Sequence, residues 1–235
     1  MLSQLNIRNI LFLDIETVPQ FDTYTSVPES FRLLWEKKSA SFCKEGETAG
    51  DVYKRAGIYA EFGKIICISC GCFTTENNFR IKSFAGDDER QVLLDFSAML
   101  NKSYCIPEKF LCAHNGKEFD FPYLCRRMLI NGITLPAILD TPGRKPWEVS
   151  HLDTMELWKF GDYKSYTTLN LLAAVFGIPT PKDDIDGSKV WEVYWIEKNL
   201  PRIVTYCQKD VLTVAQIMRR FRGEELIRED QVEIA

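Results

Sequence analysis

Two carboxylates interrupt an otherwise apolar segment near the N-terminus. The segment LFLDIETVP (residues 11–19) carries Asp14 and Glu16 two positions apart. Side chains at i and i+2 of a β-strand point to the same face, so both carboxylates are expected side by side at the end of a core strand. Because buried unpaired charge is costly, a cationic group should meet them there. The purely structural alternative is that Asp14 ends the strand and Glu16 lies in a solvated turn.

A second acidic position lies on the last predicted helix, residues 201–221. Its apolar residues recur at helical spacing and form one stripe: Ile203, Cys207, Val211, Val214, Met218 and Phe221. Asp210 lies at the edge of this stripe, and Tyr206 precedes it by four residues. Residues four apart share a helix face, so a phenol and a carboxylate should project together toward the sheet. The alternative is a core-edge tyrosine beside a solvated aspartate.

A third acid follows the predicted strand FLCAH (residues 110–114) and the turn NGKEF. Asp120 is predicted to be the N-cap of the helix DFPYLCRRMLIN, with Pro122 in its first turn. An N-cap aspartate has a structural role of its own, worth about 1 kcal/mol. Asp120 nevertheless comes directly after a buried strand, where α/β proteins place ligands. Three acid-bearing elements are therefore expected to end near one another.

The remaining pattern predicts the elements that hold these acids. Residues 7–15 form a near-continuous apolar run typical of a central strand, and 64–73 and 78–84 predict a hairpin. An amphipathic helix over 86–102 precedes the strand at 110–114, and the chain from 150 onward is mostly helical. This order predicts an α/β fold with a mixed sheet flanked by helices. We expect a single domain over 1–235, with a helical insertion at about 20–62.

Composition limits the protein classes. The chain has 235 residues, 46% apolar content and a formal net charge of −4, which argue for a globular protein that does not coat nucleic acid nonspecifically. No secretion signal or membrane-length apolar segment is recognisable, so we expect a cytoplasmic protein that does not bind a membrane. The cluster CISCGC (residues 67–72) lies in a predicted strand, which favours packing over a zinc site. The Arg126–Arg127 and Arg144–Lys145 pairs could contact phosphates, but such pairs usually lie on solvated faces.

Three motifs in order resemble those of a known superfamily. LDIET, HNGKEFDFPYL and YCQKDV are similar to the three exonuclease motifs of the DEDD superfamily, whose fold is ribonuclease H-like. The form N-x4-D-x-P-Y-L most resembles the proofreading exonuclease domain of family B DNA polymerases, here without a polymerase attached. One branch of the superfamily has a histidine five residues before the last aspartate, where this chain has Thr205. Tyr206 instead matches the tyrosine branch.

The resemblance implies a role for each matching residue. The four metal-binding acids fall on Asp14, Glu16, Asp120 and Asp210, and Tyr206 would orient the attacking water. Two divalent ions, Mg²⁺ or Mn²⁺, can neutralise charge on both the attacking and the leaving oxygen of a phosphodiester. Thr17, directly after Glu16, and Asn115 would hold the terminal nucleotide. Asp153 could support the site, although a surface acid at a helix start is an equal alternative.

The resemblance leaves the substrate open. The leading interpretation is a metal-dependent 3'-5' exonuclease acting on single-stranded DNA ends, with a separate polymerase or repair complex as a possible partner. The same chemistry on RNA is an alternative, because metal-bound acids do not read the sugar. A noncatalytic nucleic-acid-binding module is another, but it would be expected to lack at least one of the four acids.

Overall fold

A six-stranded mixed sheet forms the centre of the protein. The computed structural model describes residues 2–162, 166–179 and 185–235. The strands are β1 (Ile10–Pro19), β2 (Gly63–Phe73), β3 (Phe79–Ala85), β4 (Phe110–Ala113), β5 (Leu152–Asp153) and β6 (Val232–Ile234). Their order across the sheet is β5-β4-β1-β2-β3-β6. The pairs β1/β2 and β2/β3 are antiparallel, whereas β4 and β5 continue the sheet in parallel. The predicted fold class and the hairpin are confirmed.

Helices cover both faces of the sheet, as the apolar run in β1 predicts. They are α1 (Glu29–Ser39), α2 (Glu89–Ser103), α3 (Asp120–Ile130), α4 (Thr154–Lys159), α5 (Leu169–Val175), α6 (Val190–Trp195) and α7 (Leu200–Phe221). Leu11 and Leu13 of β1 pack on the side of α2 and α3, whereas Ile10 and Phe12 pack against α7. By the same alternation, Asp14 and Glu16 belong to the α7 face.

The ends of β1 differ from the prediction. Residues Ile7–Asn9 form a short 3₁₀ turn, and the strand begins at Ile10 and continues to Pro19. It extends beyond Glu16 because Thr17, Val18 and Pro19 keep pairing with β2 across an irregularity between Glu16 and Thr17. The two carboxylates therefore lie within a paired strand, not at its end. Such a position restrains their backbone on at least one side.

A buried ion pair fixes α3 against the sheet. Arg127 donates to both carboxylate oxygens of Glu89, at 2.8 and 2.5 Å, and to the carbonyl of Ala60 at 2.8 Å. Glu89 also accepts from the backbone N–H of Ile65 at 2.7 Å. Arg127 is thus a structural residue with its charge fully used, and it is unavailable to phosphate.

The segment from 20 to 62 is partly helical and has an aromatic centre. It contains α1 and two 3₁₀ turns, and Trp35 is fully buried among aromatic neighbours. The Trp35 indole donates to the carbonyl of Ala49 at 2.8 Å, which closes the segment on itself. Strand β6 was not predicted from the sequence because only three residues pair with β3. Among the described helices, none combines the length and the apolar character needed to cross a bilayer.

Candidate functional site

Asp14 and Glu16 meet Cys207 between β1 and α7. One ligand atom from each of these side chains lies within 4.8 Å of the others. Cys207 is fully buried, and its thiol donates to the Asp14 carbonyl at 3.4 Å. From the sequence, Cys207 was predicted only to be part of the apolar stripe of the last helix. Its position between Tyr206 and Asp210 was the one signal that could have placed it at the site.

Asp120 reaches the same place from the opposite side of β1. It is not the N-cap of α3: Phe119 occupies that position, and Asp120 is the first helical residue. Its Oδ1 accepts from the backbone N–H of Ile15 at 3.2 Å, directly between the two acids of β1. This N–H is free for Asp120 because the pairing of β1 with β4 covers only Ile10–Phe12. The side chain therefore bonds to the sheet as well as to its own backbone N–H at the start of α3.

Helix α7 supplies a phenol and a fourth carboxylate. The half-buried Tyr206 lies one helical turn before Asp210, and the two side chains are hydrogen-bonded. Burial and the nearby carboxylates hold the pKa of Tyr206 well above its usual range. The hydroxyl is therefore protonated at neutral pH and acts as a hydrogen-bond donor, not as a base.

Burial, followed by repulsion between neighbouring carboxylates, raises the pKa values of Asp14, Glu16 and Asp120. The pKa of Asp14 is raised first by burial and then by Glu16, Asp120 and Asp210. The pKa of Glu16 is raised by burial and then by Asp210. Burial raises the pKa of Asp120 to about 7, although the Ile15 hydrogen bond opposes this shift. These carboxyls favour either a bound proton or a bound cation.

The donor set fits a divalent cation. Asp14 Oδ2 is buried and has no hydrogen-bond partner among the described residues. An unpartnered buried carboxylate oxygen is rare in proteins and requires an explanation. Hard cations such as Mg²⁺ and Mn²⁺ prefer carboxylate oxygens, and a cluster of four offers enough negative charge for two of them.

The two residues predicted to bind substrate are next to acids of the cluster along the chain: Thr17 follows Glu16, and Asn115 lies in the loop before Asp120. Asn115 has a left-handed backbone (φ 61°), and its side-chain Oδ1 is buried without a partner in the part of the chain that the structure describes. Thr17 follows the irregularity in β1 and contacts the hydroxyl of Tyr123. That hydroxyl donates to the carbonyl of Gly57 at 2.7 Å. The structure thus brings Asp14, Glu16, Asp120, Tyr206 and Asp210 into one cluster.

Asp153 organises the loop that leads to Asp120. It is 2% exposed, which rules out the surface alternative. Its carboxylate accepts from the backbone N–H groups of Asn115 at 3.0 Å and Lys117 at 3.1 Å. It also caps α4 by accepting from Met155 at 2.9 Å and Glu156 at 3.3 Å. One carboxylate therefore joins β5, α4 and the loop before α3.

Replacing this carboxylate tests its role. We expect Asp153→Ala to lower the free energy of unfolding by about 3 kcal/mol, because it leaves buried N–H groups without an acceptor. Asp88→Ala is the matched control: Asp88 is an ordinary N-cap with one bond, to Gln91 at 3.2 Å, and its loss should cost about 1 kcal/mol. Urea unfolding of both variants measures the difference. Equal losses would show that the bonds to the loop contribute nothing.

Comparison with known families matches most of this chain. Residues 58–225 match the model of a family described as predicted 3'-5' exonucleases related to the exonuclease domain of PolB. The chain belongs to this family. The matched range includes Asp120, Tyr206 and Asp210 of the predicted 3'-5' exonuclease, whereas Asp14 and Glu16 precede it.

One solved structure supports the fold of this predicted exonuclease. The family B DNA polymerase of the archaeon Pyrobaculum calidifontis is similar over 90% of this chain, with 18% identity and a TM-score of 0.55. The chain spans 24% of that polymerase. E. coli exonuclease I in complex with a dT13 oligonucleotide matches 84% of this chain and 42% of its own, at 12% identity and a TM-score of 0.41.

Proposed function

We propose that this protein is a metal-dependent 3'-5' exonuclease of the tyrosine branch that removes nucleotides from single-stranded DNA 3' ends. The observation that carries the proposal is the convergence of three carboxylates on Asp14, whose own Oδ2 is buried and unpartnered within the described residues. A structural protein gains nothing from such a cluster, since each buried acid raises the cost of the next.

Each acid has a proposed place in a two-metal site. Asp14 would help to hold both ions, Glu16 and Asp210 would help to hold one of them, and Asp120 would help to hold the other. When bound, Mg²⁺ or Mn²⁺ supplies an activated water and neutralises charge on the phosphodiester oxygens. The protein's own contribution is rigidity: β1 fixes two acids by sheet pairing, and the Ile15 N–H orients the third. Asp153 holds the loop that precedes this third acid.

Tyr206 is proposed to orient the attacking water through its protonated hydroxyl. We expect Tyr206→Phe to lower kcat by about 10- to 100-fold, because the ring stays packed while one positioned hydrogen bond is lost. The affinity of the Tyr206→Phe variant for Mn²⁺, measured by calorimetry, should remain within about twofold of the wild-type affinity. Tyr166→Phe is a matched control, since that tyrosine also donates to a carboxylate, Glu118 at 2.8 Å, but is exposed. Equal kcat in both variants and wild type would contradict the assignment.

The proposed substrate is a single-stranded 3' end with its terminal nucleotide beside Thr17 and Asn115. Asn115 Oδ1 is buried and has no partner among the described residues, which supports this placement because a ligand donor could satisfy it. DNA is proposed over RNA, with a separate polymerase or repair complex as partner and the cytoplasm as location. We also propose that the chain is one exonuclease domain with an insertion at about 20–62.

The direct test is degradation of labelled substrates. Single-stranded DNA and RNA, labelled at the 5' or 3' end, are incubated with the protein and Mg²⁺ or Mn²⁺. We expect 5'-labelled DNA to shorten stepwise and 3'-labelled DNA to release a labelled mononucleotide at once. If the DNA stays intact and the RNA is shortened, the protein is an exoribonuclease, the alternative function. A protein that binds single strands but cleaves neither would be the noncatalytic module.

A further inference from the structure

A cavity lies on the side of α3 that faces away from the carboxylate cluster. It encloses about 390 Å³ between α3 and the loop over residues 133–151. Its volume falls in the range of small-molecule sites, which is roughly 300–1,000 Å³. Asp120 and Phe121 are consecutive on α3, yet Asp120 bonds to β1 whereas Phe121 lines the cavity. The first turn of α3 therefore separates the two sites.

The cavity combines an apolar floor with a cationic mouth. Phe121, Leu139 and Leu129 contribute the apolar surface, and the Cys125 thiol donates to the Leu139 carbonyl at 3.4 Å to join the two walls. Among the described residues that line the cavity, three are cations and none is a carboxylate.

The three cations are not equally available. Lys117 pairs with Glu156 at 2.6 Å, so part of its charge is already used. Arg126 and Arg144 are exposed and form no ion pair with any described residue. A guanidinium binds phosphate in a bidentate manner and also stacks on a flat ring. The two arginines thus offer an anion site directly above an apolar surface.

His151 adds a neutral polar ring to the wall. It is 5% exposed, its ring centre lies 4.7 Å from that of Phe121, and its Nδ1 has no partner among the described residues. Burial, together with Lys117 and Arg144, lowers the pKa of His151 to about 4. The imidazole is therefore uncharged at neutral pH. It can form a hydrogen bond with a ligand and does not repel the nearby arginines.

We propose that this cavity binds a nucleotide, with the base on the apolar floor and the phosphate on Arg126 and Arg144. A purely apolar ligand would not use the two arginines, and an inorganic anion would not use the apolar surface of the cavity. The choice of a nucleotide among aromatic anions rests on the function proposed above. The nucleotide is either a free nucleotide or one residue of a bound strand, since each offers a flat base and a phosphate.

The cavity is mechanically connected to the carboxylate cluster. The backbone N–H of Lys117 donates to Asp153 at 3.1 Å, and the same carboxylate holds Asn115 at 3.0 Å. A nucleotide at the mouth therefore lies against the loop that leads into Asp120.

Binding in EDTA tests the proposal without any catalytic step. Wild type and Arg126→Ala/Arg144→Ala are titrated with a deoxynucleoside 5'-monophosphate by calorimetry and with a 5'-fluorescein single-stranded oligodeoxynucleotide by anisotropy. Arg90→Ala/Lys102→Ala removes the same charge from exposed positions of α2 and serves as the matched control. Leu129 lines the cavity but is exposed, so Leu129→Glu adds a carboxylate to the cavity without disturbing the core.

We expect the double arginine variant and Leu129→Glu to bind at least about tenfold more weakly, and the control to match wild type. Weakened binding of the mononucleotide identifies a free nucleotide, and weakened binding of the oligonucleotide alone identifies a nucleotide within a strand. Unchanged affinity for both ligands overturns the proposal. Inorganic phosphate that binds as tightly as the mononucleotide also overturns it.

The outcome separates this proposal from the nuclease proposal. If the protein cleaves no substrate but binds the mononucleotide in an Arg126- and Arg144-dependent manner, only the nuclease proposal fails. If the protein cleaves DNA and the arginine variants bind both ligands normally, only the cavity proposal fails.

Discussion

Asp14→Asn is expected to abolish nuclease activity while making the metal-free protein more stable. Asparagine keeps the shape of the side chain but removes the charge that is proposed to bridge two ions. We expect a loss of about 10³-fold or more in kcat/KM, which corresponds to about 4 kcal/mol. In EDTA the same change removes a like charge from a buried cluster, so its free energy of unfolding should rise by about 1 kcal/mol or more.

The opposite directions of these two effects make the test specific. A residue that serves only the fold loses stability and activity together when it is replaced. Asp95→Asn is the matched control: Asp95 is an exposed acid on α2, and its replacement should change neither quantity. Nuclease assays with Mg²⁺ or Mn²⁺ and chemical unfolding in EDTA provide the two measurements. If the Asp14→Asn protein is less stable than wild type in EDTA, repulsion among the clustered carboxylates does not destabilise the metal-free protein.

Local patterns predicted the fold and the shared face of Asp14 and Glu16. The alternation of side chains along β1 and the three- and four-residue spacing on α7 depend only on residues close together in the sequence. Both patterns can therefore be read from a single sequence. The predicted C-terminal end of β1 was wrong because Thr17, Val18 and Pro19 also pair with β2 and so extend the strand. Nothing within LFLDIETVP indicates that partner.

The contacts that set the site geometry connect residues far apart in the chain. Asp120 was predicted to cap α3, but its oxygen bonds to Ile15, 105 positions earlier. Asp153 could not be distinguished from a surface acid until its bonds to Asn115 and Lys117 were seen. The identities of such side chains follow from the sequence, whereas their partners depend on how β1, β4 and β5 assemble. This explains why helices and strands were predicted more accurately than hydrogen bonds.

The stability of the metal-free protein is expected to depend on pH through the same cluster. Asp120 has an ordinary pKa of 3.8 when unfolded and a pKa of about 7 when folded, so the folded state holds its proton more tightly. Its contribution is most favourable below pH 4 and declines as pH rises to about 7. Asp14 and Glu16 act in the same direction because their pKa values are also raised. The half-buried His114 and the buried His151 oppose this trend because burial lowers their pKa values.

A difference between two proteins isolates the cluster from the histidines. Asp120→Asn keeps an oxygen that can accept from Ile15 but removes the titrating group. In EDTA, its free energy of unfolding minus that of wild type should be smallest near pH 4 and rise by a few kcal/mol by pH 8. Mn²⁺ should stabilise wild type more at pH 8 than at pH 5, because a bound cation needs the ionised carboxylates, and should stabilise Asp120→Asn less. A difference that stays constant from pH 4 to pH 8 would show that Asp120 titrates normally and that burial does not raise its pKa.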